Sequence, residues 1–163
     1  MKKHVIEMIK KRGVNMTDIA EIVFEMQKGY LPITLEMCLE VVESVLAKRE
    51  VQNAVMTGIA LDIAAETRQI EEPLLSMLLA DEPLYGVDEI LALSITNIYG
   101  SIAFTNFGYI DKLKVGVLTK LNQHRDVQCN TFLDDLVAAV ASAACSKLAH
   151  GFDKKNKKVQ EDD

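Results

Sequence analysis

Thr131-Phe132-Leu133-Asp134-Asp135-Leu136-Val137-Ala138-Ala139-Val140-Ala141-Ser142-Ala143-Ala144-Cys145-Ser146-Lys147-Leu148-Ala149 is the stretch that decides the fold. Behind its acidic pair it is small or apolar on every side as far as Lys147. A helix that is apolar all round is stable only when other helices wrap it. The segment therefore predicts a central buried helix over Thr131–Ala149, opened by Thr131 and ending near His150.

The segments upstream read as its wrapping. Ile19, Ile22, Val23 and Met26 fall at i, i+3, i+4 and i+7, with Thr17 placed as an N-cap. Leu35, Cys38, Leu39, Val42, Val45 and Leu46 repeat the pattern behind Thr34, with Pro32 just ahead. Gly13 and Gly29-Tyr30-Leu31-Pro32 separate these helices. Val51–Glu66 predicts a third long helix, or a continuation of the one before it bent near Glu50, and Pro73 the first turn of a short one through Leu79. After the Asp81-Glu82-Pro83 turn, Val87 begins a helix that breaks at Gly100. Gly108 and Gly116 bracket an expected connection around Asp111, followed by helix over Leu118–Asn122 and loop over Gln123–Asn130. The resulting fold class is all-α, a multihelical single domain over residues 1–150. It has amphipathic N-terminal helices over 1–49 and a core over 51–150. Residues 151–163, with Lys154, Lys155, Lys157, Lys158, Glu161, Asp162 and Asp163, read as a charged flexible tail.

Composition narrows the class. The chain has 163 residues, 49% hydrophobic and 26% charged, with 6% aromatic and no Trp. That excludes disorder, collagen-like repeats and most turn-rich β folds. A net charge of −6 argues against a nucleic-acid partner, which is met by a basic face. The three cysteines and three histidines show no zinc spacing, and the thiols read as buried in a reducing cytosol. Ile90–Ile110 carries no formal charge and is long enough to span a bilayer. Its Ser94, Thr96, Asn97, Ser101, Thr105 and Asn106 suit a protein interior better than lipid, so no transmembrane segment is expected.

The charges that remain inside apolar sequence carry the chemistry. Asp62 is alone in Val51–Ala65, Asp88 and Glu89 in Val87–Ile110, Asp134 and Asp135 in Val127–Ser146. A buried carboxylate without a partner costs several kcal/mol, so such groups are paired, protonated or metal-bound. Two readings stand for the pairs. Thr131-Phe132-Leu133-Asp134 fits a capping box, and Asp88 and Glu89 suit a helix first turn. Against this, oxygen ligands gathered without matching cations suit Mg²⁺, or Mn²⁺ in its place. Asp62 lies mid-helix and fits neither cap, and Asp62 and Glu66 share a face at i, i+4.

Three motifs, in order and spacing, resemble those of the phosphatidylglycerophosphatase A family. They are Val87-Asp88-Glu89-Ile90-Leu91-Ala92, Phe107-Gly108-Tyr109-Ile110-Asp111-Lys112-Leu113-Lys114, and Phe132-Leu133-Asp134-Asp135-Leu136-Val137-Ala138-Ala139. The resemblance covers roughly Val55 to His150 and is closest to a soluble multihelical branch. It implies a Mg²⁺-dependent phosphomonoesterase that converts phosphatidylglycerophosphate to phosphatidylglycerol and phosphate. Asp88, Glu89, Asp134 and Asp135 are then the catalytic and metal-binding acids, with Asp62 a further ligand. Asp111 and Lys114 face the substrate. A cytoplasmic protein touching the inner membrane face peripherally, and forming a homo-oligomer, fits this reading. The alternatives are a hydrolase of a soluble phosphate compound, or a non-enzymatic helical oligomeric interaction protein.

Overall fold

The computed structural model describes residues 1–123 and 128–161, with side chains through Phe152. Among them are nine helices and no strand: α1 (Lys2–Lys11), α2 (Met16–Gln27), α3 (Leu35–Val45), α4 (Arg49–Glu66), α5 (Leu74–Ala80), α6 (Val87–Thr96), α7 (Ser101–Leu113), α8 (Val117–Gln123) and α9 (Leu133–Glu161). Every residue from Asn130 to Ser146 is buried, as the apolar run requires. Helices α2, α3, α4, α6, α7 and α8 all pack on α9, and one hydrophobic cluster joins α1 to α9.

Small residues set how close the wrapping comes. Ala138, Ala139, Ala141, Ala143 and Ala144 of α9 are wholly buried. The tightest approach is at Gly58 of α4, where a Cβ would stand 2.9 Å from Phe132 Cβ and 2.4 Å from Leu136 Cδ1. The uncharged Ile90–Ile110 run is broken between α6 and α7, and among the described residues no helix is long and apolar enough to cross a membrane.

Three expectations need correction. The cap of α2 is Asn15 rather than Thr17, with Asp18 Oδ2 accepting from the Asn15 N–H at 2.7 Å. Thr34 does cap α3, accepting from Met37 N–H at 3.3 Å. Gly108 does not open a loop. Phe107 and Ile110 anchor their helix in the core, which outweighs the roughly 1 kcal/mol that glycine costs a helix. Asp111 is thus helical, and the connection begins at Lys114. Finally, α9 starts at Leu133 and does not stop at His150. Gly151 lacks the left-handed geometry of a helix stop, and the helix continues to Glu161. Of the loop expected before α9, residues 124–127 lie outside the described residues, as do 162–163.

Candidate active site

The site is built around the first turn of α9. Asp62, on α4 one turn beyond Gly58, is 0% exposed. Its Oδ1 accepts from Phe132 N–H and its Oδ2 from Leu133 N–H, both at 3.0 Å. These amides have no acceptor within their own helix, so Asp62 caps α9 from across the core. One turn on, Glu66 Oε1 accepts from Cys129 N–H at 2.7 Å, and Glu66 pairs bidentately with Arg12. Arg12 Nη2 also donates to the Cys129 carbonyl at 2.5 Å. The shared face of Asp62 and Glu66 therefore fixes the backbone that leads into α9. On the other side, Thr131 Oγ1 donates to Leu78 O at 2.6 Å, tying α5 to the same segment. The Tyr85 ring meets Phe132 edge-on, 5.9 Å between centroids, and holds the 81–86 loop above it.

A cleft of about 280 Å³ opens here, lined by the 81–86 loop, Asp88 and Glu89 of α6, Asp111 and Lys114 at the end of α7, and Asp134 and Asp135. The N-termini of α6 and α9 and the C-terminus of α7 converge on it. Asp88 Oδ1 accepts from Glu89 N–H and Asp134 Oδ1 from Asp135 N–H, each at 2.9 Å. Lys114 adopts a left-handed turn, φ 47°, as the C-cap of α7. Its ammonium lies 2.5 Å from Asp111 Oδ1, 2.8 Å from Asp134 Oδ2 and 3.5 Å from Asp135 Oδ1.

Charge in the cleft is far from balanced. Among the described lining residues Lys114 is the one Lys, Arg or His, while Asp81, Glu82, Asp88, Glu89, Asp111, Asp134 and Asp135 bring carboxyl groups. Burial raises the Asp88, Asp134 and Asp135 pKa values, and Asp134 adds its repulsion at Asp135. Burial pulls Lys114 the other way, but Asp134, Asp111 and Asp135 outweigh it and hold the ammonium firmly charged.

The oxygen-only donor set suits a hard divalent ion. Its three oxygens nevertheless stand at ammonium distances, wider than the roughly 2.1 Å of a Mg²⁺–oxygen bond. Accordingly, no three His, Cys, Asp or Glu side chains among the described residues are drawn together as a ready-made cage. The residues are of the kind that would hold such an ion, and their spacing is that of the lysine standing among them.

The sequence model of the family described as Phosphatidylglycerophosphatase A matches residues 5–150. This chain belongs to that family. The match begins well before Val55, so the N-terminal helices α1–α3 are part of the family's fold rather than an addition to it. Among relatives, the chain is 59% identical to the uncharacterized protein YutG of Bacillus subtilis over 87% of this chain and 86% of that one. It is 53% identical to YpjQ of the same organism, over 88% and 81%. Among solved structures it is similar to the low temperature requirement C protein of Listeria monocytogenes, with TM-score 0.90 and 55% identity over 93% and 96% of the two chains. It is also similar to a protein of unknown function from Bacillus stearothermophilus, with TM-score 0.89 and 54% identity over 92% and 94%.

Within this chain, the cleft gathers Asp88, Glu89, Asp111, Lys114, Asp134 and Asp135, all singled out from sequence. Asp62 is not among its lining residues. The metal-ligand reading of Asp62 gives way to capping, because both carboxylate oxygens are engaged by α9 amides. The capping-box reading of Asp134 gives way in turn, since its Oδ2 meets Lys114 while Asp62 supplies the cap. Sequence reasoning missed Asp81, which lines the cleft, and Arg12, which braces it from below. Asp81 ends α5 in a left-handed turn with φ 47°. Its Asp81-Glu82-Pro83 context signals only a turn.

Proposed function

We propose that the protein is a Mg²⁺-dependent phosphomonoesterase acting on phosphatidylglycerophosphate. The observation that carries this reading is the cation position bounded by Asp111, Asp134 and Asp135 at the cleft floor, in a chain of this family. Asp134 and Asp135 would hold the ion from α9, with Asp88 and Glu89 from α6. When bound, the ion polarises a phosphoryl oxygen and makes a nearby water more acidic. The chain's own residues do the rest. Lys114 offsets the charge of the phosphate, Asp111 orients Lys114, and the α6 and α9 N-termini favour anionic groups at the cleft.

The rim supports a lipid substrate. Leu84 lines the cleft yet is fully exposed, and Val87 and Ile90, beside Asp88 and Glu89, are 47% and 65% exposed. An apolar rim around a polar floor suits a headgroup presented at a bilayer and supports the reading of a protein peripheral to the inner membrane face.

The test is phosphate release from phosphatidylglycerophosphate in mixed micelles, compared with soluble phosphomonoesters, with Mg²⁺ and with chelator. The expected result is Mg²⁺-dependent release from the lipid. Leu84→Asp lowers that release by about tenfold, the ~1.5 kcal/mol of one buried leucine, and spares any activity on soluble esters. Turnover of soluble esters alone would favour the soluble-substrate reading. No turnover of either would leave an interaction protein.

A further inference from the structure

We propose that Lys114 is a displaceable internal cation, which on yielding its place to a divalent metal ion becomes the anion-binding group of the cleft. Metal and tetrahedral oxyanion then bind cooperatively. The inference rests on the metal-dependent reading above and adds to it an order and a coupling.

The geometry is that of one cation position with two claimants. Three carboxylate oxygens from two helices surround a single Nζ, at 2.5, 2.8 and 3.5 Å. A metal ion bonded to the Asp134 and Asp135 oxygens at about 2.1 Å has no room for the ammonium beside it, and the two positive charges repel. Lys114 is built to move. Its backbone is pinned at the α7 C-cap, with its N–H on Ile110 O at 2.9 Å. Its side chain is 26% exposed and lines the open cleft on a flexible four-carbon stem. Asp111, one helical turn earlier, keeps its own bond to the ammonium when the α9 carboxylates are taken.

Released from Asp134 and Asp135, the ammonium is the one cationic side chain among the described lining residues that can meet an anion there. An anion that engages Lys114 draws it from the carboxylates and frees them for metal. By linkage, metal improves anion binding by the same factor.

The test is Mn²⁺ binding to chelator-treated protein, by electron paramagnetic resonance and calorimetry, at constant ionic strength in chloride or in sulfate, a tetrahedral dianion. In wild type, sulfate tightens Mn²⁺ binding by about fivefold or more. Lys114→Met binds Mn²⁺ tighter than wild type in chloride by a similar factor, and sulfate leaves its affinity unchanged. Lys114→Arg, still cationic, shows no such tightening. Circular dichroism verifies the folds, and Lys114→Gln is read by the same criteria should the Met variant not fold. If wild type binds Mn²⁺ and the neutral variants bind it no tighter, or keep the sulfate effect, the inference is overturned and the metal reading stands. If neither wild type nor neutral variants bind Mn²⁺ saturably, the metal reading falls and takes the inference with it.

Discussion

Asp62 holds two amides of another helix, 70 and 71 residues further along the chain, and thereby fixes the first turn of α9 on which Asp134 and Asp135 stand. Removing its carboxylate strands two buried N–H groups and the positive end of a helix. Asp62→Ala should therefore lose about 2–4 kcal/mol in urea unfolding. Asp62→Asn, with one acceptor oxygen for two donors, should fall between. A variant as stable as wild type would show that the cap is dispensable. From sequence, Asp62 was visible as a mid-helix acid without an excuse, but its partner was not. No local pattern reports a hydrogen bond to an amide at the far end of the chain. The same limit hid Arg12, whose acceptor Cys129 O is 117 residues away.

At the scale of elements, the α4–α9 contact is where packing and site meet. Gly58 lets α4 approach Phe132, and the next turn of α4 delivers Asp62. Gly58→Ala would gain helix propensity but must push a Cβ against Phe132 Cβ, so α4 has to move. The expected net effect is a loss of about 1–3 kcal/mol, read as a lower denaturation midpoint with an unchanged m-value. Unaltered or improved stability would mean the two helices are not that close. The helices themselves were legible, because apolar spacing and all-round apolarity are local properties. The continuation of α7 through Gly108 was not, since Phe107 and Ile110 override the glycine only once α9 is there to bury them. The acids of the cleft were legible as a set, because charge in apolar sequence needs a reason. What each one touches depended on three helix ends meeting.

For the molecule as a whole, these acids tie stability to pH. Burial raises the pKa of Asp62 to about 7, against the opposing pull of the α9 amides, and raises Asp88, Asp134 and Asp135 as well. A carboxyl that binds its proton more tightly folded than unfolded stabilises the fold below its unfolded pKa of about 3.9. That contribution is lost as pH climbs through the folded value. Glu66, lowered by Arg12 against burial, acts in the opposite sense, but its share disappears only under acid conditions. Lys114, raised, stays charged in both states across neutral pH. Metal-free protein in chelator should therefore melt lower at pH 8.5 than at pH 5.5, and Mg²⁺ should recover the difference by binding the ionised acids. A melting temperature that rises with pH in chelator would contradict this electrostatic picture.

The most direct test of the central claim, that this cleft is a metal-dependent phosphatase site, is paired melting and Mg²⁺-dependent phosphate release on Asp134→Asn and Asp135→Asn. An amide keeps the carboxylate's shape and loses the charge that holds a divalent ion, while in Asp135→Asn it also relieves repulsion from Asp134. The account predicts that Asp135→Asn melts at or above wild type in chelator and loses about 100-fold or more of its release from phosphatidylglycerophosphate. If both variants retain wild-type turnover, the acidic pair is structural and the claim is wrong.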